Sequence, residues 1–271
     1  MGVMRSLAAA VMIVVVSTPL RAAPVDDLLE ALRVQEMLVI MREEGLAYGA
    51  EMAQDMFAGG SSPRWDGLLN EIYDTDKMDA VVRGTFAETL GDADLSSLIA
   101  YFTSDDGRAV VGAELAARRA MVRDTIEEGA RDRFRALDGT DDPRLAQIDR
   151  FVQANDLIEA NVAGALNASF QFYRGLVDGG AFAMSESDIL SDVWSQEEET
   201  RADTREWLFG FLMLAYRKIE DPQLEDYIDL SASNDGRLLN RALFAGFNSM
   251  YDDISYALGL AAAREMQGQD L

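Results

Sequence analysis

The chain has no cysteine and no histidine. Without cysteine there are no disulfides, no thiolate nucleophile, no cysteine-held iron–sulfur cluster and no c-type haem attachment. A lipoprotein anchor on an N-terminal cysteine is excluded as well. Without histidine the usual proton shuttle near neutral pH is missing. Lysine is almost absent too. The 24 basic residues are all arginine except Lys77 and Lys218, and arginine serves poorly as a general base or Schiff-base amine. β-Branched runs are scarce: the "VMIVVV" of residues 11–16 is the one cluster, and strand alternation is hard to find anywhere.

Acid is abundant. There are 48 Asp and Glu, giving a net charge of −24 over 271 residues. Such a surface repels nucleic acid and anionic lipid and attracts cations and basic protein or peptide faces. Apolar residues make up 49% of the chain, enough to build a core of one large or two ordinary domains. The opening "MGVMRSLAAAVMIVVVSTPLRAA" places Arg5 before an apolar run at 7–16 and small residues after it. This pattern predicts a signal peptide over 1–22 and a periplasmic or secreted product. The run is too short for a lasting transmembrane helix, and no later segment reaches membrane length.

A repeat organises the remainder. Shifted by 129 residues, 26–118 meets 155–247 without a gap, and 17 of 93 positions are identical. "DDLLEA" at 26–31 meets "NDLIEA" at 155–160, Trp65 meets Trp194, and "TSDDGR" at 103–108 meets "ASNDGR" at 232–237. One register is what a duplication leaves, whereas coincidence scatters matches over several offsets. The expected organisation is an all-α protein of two related multi-helix units, 23–138 and 139–271, joined at the turn-rich "DGTDDP" of 138–143.

Helix signals run throughout. Asp26 or Asp27 is a candidate cap for a helix carrying Leu28, Leu29, Leu32 and Val39. Pro63, Asp74 or Asp76, Asp94 and Pro222 mark further starts, and Gly91 a stop. Residues 108–136 read as one long helix of mixed polarity. Leu238, Leu239, Leu243, Phe244, Phe247 and Met250 mark the buried side of a last long helix.

The acidic "SDDGR" invites a calcium reading, which fails. With Gly107 at loop position 6, Phe102 falls at position 1 and Ala113 at position 12. With Gly236 there, Ala242 replaces the required glutamate. The same residues make a helix corner: Ser104 and Ser233 follow a helix, and Asp106 and Asp235 are placed to accept first-turn N–H groups of the next. Gly107 and Gly236 permit close approach, and Arg108 and Arg237 reach back to carbonyls or a carboxylate. Trp65 and Trp194 are candidate core plugs or partner anchors. Met37, Met41, Met52 and Met56 follow one helical face, read as core filling or an adaptable groove. Glu43, Glu44, Glu71, Asp105 and Asp106 offer carboxylate pairs for a cell-wall hydrolase, but pairs are unavoidable at this acidity.

"DLSSLIAYFTSDDGRAVVGAELA" resembles the DUF2059 family of exported bacterial helical proteins of unknown function, through Leu95, Leu98, Tyr101, Phe102, Ser104, Gly107 and Arg108. The second copy is similar through Leu224, Tyr227, Ser233, Gly236 and Arg237, with Leu230 and Ser231 in place of the aromatic pair. Both copies carry aspartate where the family pattern often has proline. The resemblance implies an exported helical fold and brings no catalytic residue, metal or cofactor. By elimination, the first expectation is a non-enzymatic, cofactor-free module of the periplasm, either protein-binding, with a basic protein or peptide as partner, or envelope-associated and structural. The second is a small-molecule or cation binder using a cleft between the units. The third is the carboxylate-dependent hydrolase.

Overall fold

A computed structural model describes residues 22–269, and every regular element among them is helical. The segment expected to be a signal peptide lies outside the described residues, apart from its last position. No described helix is long and apolar enough to cross a membrane.

Helix α1 (Ala22–Ala31) leads through left-handed Arg33 into α2 (Val34–Met56). Asp26 is thus inside a helix, not at its cap, and pairs with Arg83. The turn at Arg33 also resets the helical phase. Leu38 and Ile40 are buried, and Val39 faces solvent. Helix α3 (Pro63–Ile72) starts on the Ser62 side chain with Pro63 in its first turn. Helix α4 (Thr75–Leu90) starts on Asp74, which accepts from the Asp76 and Lys77 amides, and stops at Gly91 with φ +57°. The short α5 (Ser96–Phe102) follows.

The expected helix over 108–136 is two: α6 (Asp105–Met121) and α7 (Asp124–Leu137), parted where Arg123 turns extended. The break lets α7 lay Ala130 against Gly210, where an added Cβ would stand 3.1 Å from backbone. After the turn at Gly139 come α8 (Pro143–Ala154) and α9 (Leu157–Asp178). Then follow α10 (Glu186–Ser195), α11 (Glu197–Ala215), α12 (Asp221–Ala232) and α13 (Asn234–Gln269). With 36 residues α13 is about 54 Å long.

The cores cross the expected boundary at 138. Leu239, Ala242, Met250, Ile254 and Leu258 of α13 join Leu28, Leu38, Trp65, Val82 and Phe86 in one cluster. Val110, Ala117 and Phe134 of α6 and α7 join Ile148, Phe209, Leu212 and Leu224 in another. Each half thus sends its closing helices into the other. Helix α13 packs on α4 and α9, and α6 and α7 pack on α11. Near its end α13 crosses α9 backbone to backbone: a Cβ on Gly259 would fall 2.1 Å from the Phe172 carbonyl, and one on Gly175 2.3 Å from the Tyr256 carbonyl.

The halves do not follow one register. The left-handed turns at Arg33 and Asp156 lie 123 residues apart, as do the capping serines Ser62 and Ser185. The corner serines Ser104 and Ser233 lie 129 apart. Trp65 is third in α3 and Trp194 ninth in α10, so the two tryptophans hold different places.

Candidate functional site

The two helix corners share one geometry. Ser104 and Ser233 both have φ −71° and ψ 168°. Each hydroxyl donates to a carbonyl of the preceding helix at 2.6 Å, Tyr101 or Leu230, and accepts the amide of Gly107 or Gly236. A Cβ on Gly107 would stand 2.1 Å from the Tyr101 carbonyl oxygen, and one on Gly236 2.0 Å from that of Leu230. The glycines are therefore fixed by close approach. The aspartates are not the caps. Asp106 accepts from Gln223 at the start of α12, and Asp235 accepts from Ser97 at the start of α5. Each corner thus grips the other half. Arg237 reaches the Ala232 carbonyl, and exposed Arg108 lies 3.8 Å from Asp105.

Trp65 is fully buried, donates Nε1–H to the Gly49 carbonyl at 2.9 Å and meets Phe57 edge-on. Trp194 is 64% exposed. Of the candidate carboxylates, Glu44 is held by Arg118, while Glu43, Glu71 and Asp105 are exposed. No group of three acidic side chains among the described residues is placed to hold a metal ion.

A cavity of about 570 Å³ lies where the two halves interleave. Each helix around it contributes one stripe at helical spacing: Met37 and Met41 from α2, Glu114 and Arg118 from α6, and Asn161, Gly164, Ala165 and Ala168 from α9. Trp207, Leu208, Phe211 and Leu212 come from α11, and Gly236, Leu239, Asn240, Leu243, Phe244, Phe247, Asn248 and Tyr251 from α13. Trp207, Phe211, Phe244 and Phe247 are only half-buried although they belong to this wall. Asn161 and Ala165 are exposed and stand at its rim. Met52, from the methionine face, is instead buried in the core.

Two charged side chains sit in this apolar wall, one helical turn apart on α6. Arg118 makes a two-pronged pair with Glu44, 2.7 Å on each side, and its guanidinium lies 4.8 Å over the Trp207 ring. Glu114 accepts the Tyr216 hydroxyl at 2.5 Å and bonds Tyr227 as well. Burial pushes its carboxyl up to about 7, and the two hydroxyls hold it back from rising further. Burial also raises both tyrosines well above their ordinary value. Tyr227 is itself packed between rings, stacked on Tyr101 at 5.9 Å and tilted against Phe151 at 5.0 Å.

Sequence reasoning missed Glu114, Arg118 and Trp207. The available signal was an acid and an arginine four apart on the helical face of Val110, Val111, Leu115 and Met121. Against protein-family models, curated proteins and solved structures, the chain finds no match.

Proposed function

We propose that the protein binds a small apolar molecule in the cavity between its halves, without catalysing a reaction. One observation carries this: large inward aromatics are left half-uncovered around about 570 Å³ of space. That volume falls in the range of small-molecule sites. Filling it removes apolar surface from water at about 25 cal/mol per Å². This is the second of the expectations drawn from sequence, and the half-uncovered ring faces support it. The test is titration of the purified chain with the neutral dye N-phenyl-1-naphthylamine. One site, a rise in unfolding midpoint and loss of both in Ala168→Trp are expected. No saturable binding sinks the reading.

A protein partner is the second reading, favoured by exposed Leu190 and Trp194 one turn apart on α10. An acidic surface of this size suits a basic partner. Crosslinking in cells, with Trp194→Ala as the control, decides it. Export to the periplasm or medium rests on residues 1–22, and membership of DUF2059 on the corner motif. Descent of the halves from one unit is supported by the matched corners, the two left-handed turns and the reciprocal packing of closing helices. The interval widens from 123 to 129 because α11 and α12, at 19 and 12 residues, are longer than α4 and α5, at 16 and 7.

A further inference from the structure

The cavity wall is not uniform. Among the described residues that line it, Glu114 is the one acid and Arg118 the one base. Arg118 is already compensated, because both carboxylate oxygens of Glu44 lie 2.7 Å from it. Glu114 has no such partner: its bonds are to two phenol hydroxyls, and no arginine or lysine pairs with it among the described residues. A carboxylate has about four acceptor positions, so two tyrosines leave capacity unused. In an apolar wall an uncompensated charge is costly, and an arriving cation removes that cost.

We infer that the cavity selects ligands with an apolar body and a protonated amine, the ammonium donating to Glu114. This rests on the small-molecule reading above and names its ligand class. Phe102, Phe151 and Tyr227 line the same cavity as Glu114, and ring faces attract ammonium groups. The net charge of −24 raises the local concentration of cations at any opening. An anionic ligand meets the reverse. Arg118 is occupied, Glu114 repels it, and the outer field opposes its approach.

Three probes of equal chain length separate the terms: decylamine, decan-1-ol and decanoate, each displacing N-phenyl-1-naphthylamine from the full chain at pH 8. Decylamine is expected to displace at roughly tenfold lower concentration than decanol, the size of one charge-assisted hydrogen bond. Decanoate is expected to be weakest. Glu114→Gln should bring decylamine to the level of decanol, each read against that variant's own dye affinity. Attraction of amines to the acidic surface alone would survive that single substitution, and this outcome overturns the inference. So does equal displacement by amine and alcohol in the unaltered protein, a comparison that needs no variant to fold. If the dye and all three probes fail to bind, the small-molecule reading falls first and this one with it.

Discussion

Glu114 has a measurable signature apart from any ligand. The unfolded chain gives up this proton near 4.5 and the folded chain near 7. The folded state holds it more tightly, so its stabilising contribution is complete below about 4.5 and gone above about 7. The difference is at most on the order of 3 kcal/mol, less for the part that faces the cavity. Tyr216, Tyr227 and Tyr101 face this group and do not titrate in that window, and Arg118 stays charged and paired. No histidine adds to the window. Asp252, raised by burial and by Asp253, adds in the same direction. Urea unfolding between pH 5 and 8 should show stability falling as pH rises, with a shallower slope in Glu114→Gln. An unchanged slope would place the carboxyl in an ordinary setting. The corner glycines are a second case at this scale. Gly107→Ala or Gly236→Ala drives a Cβ to about 2 Å from a carbonyl oxygen, which the backbone must move to relieve. A loss of about 2–4 kcal/mol in denaturant unfolding is expected for each.

At the scale of elements, helix starts were the most legible feature, because caps act locally. Ser104→Ala and Ser233→Ala should each cost about 1 kcal/mol in the same assay, and Asp106→Asn less, since its partner is Gln223 and not the first-turn amides. Pro63, Asp74, Gly91 and Pro222 all stand where their chemistry predicts a start or stop. Asp26 did not, because the chain there continues a helix and breaks at Arg33, a residue with no composition cue for a left-handed turn. The split between α6 and α7 was hidden for the same reason: neither glycine nor proline marks it, and the gain comes from distant α11. The cavity was hidden more deeply. Leu243, Phe244 and Phe247 read as a buried stripe, and an apolar stripe looks the same whether it meets side chains or open space. Trp65 and Trp194 show the converse error, where identity of residue type at one interval stood in for identity of place.

For the whole molecule, the exchange of closing helices makes the halves interdependent. Residues 24–138 expressed alone would leave Leu28, Leu38, Val82 and Phe86 without the α13 side chains that complete their cluster. That fragment should show low helicity by circular dichroism and no cooperative melt, while 24–271 melts in a single transition. A folded, cooperative fragment would mean that the first half closes its own core. Gly259→Leu tests the same dependence within the intact chain. It forces α13 away from α9 at their backbone contact, and both clusters should loosen together.

That exchange also sets an order in time. Helix α13 follows every other described helix along the chain, and it fills a core whose other side is made first. The apolar face of the first helices must therefore wait, incomplete, until α13 has been made. Contacts that span the chain close slowly. A chain built this way closes the core of its first helices only when α13 arrives.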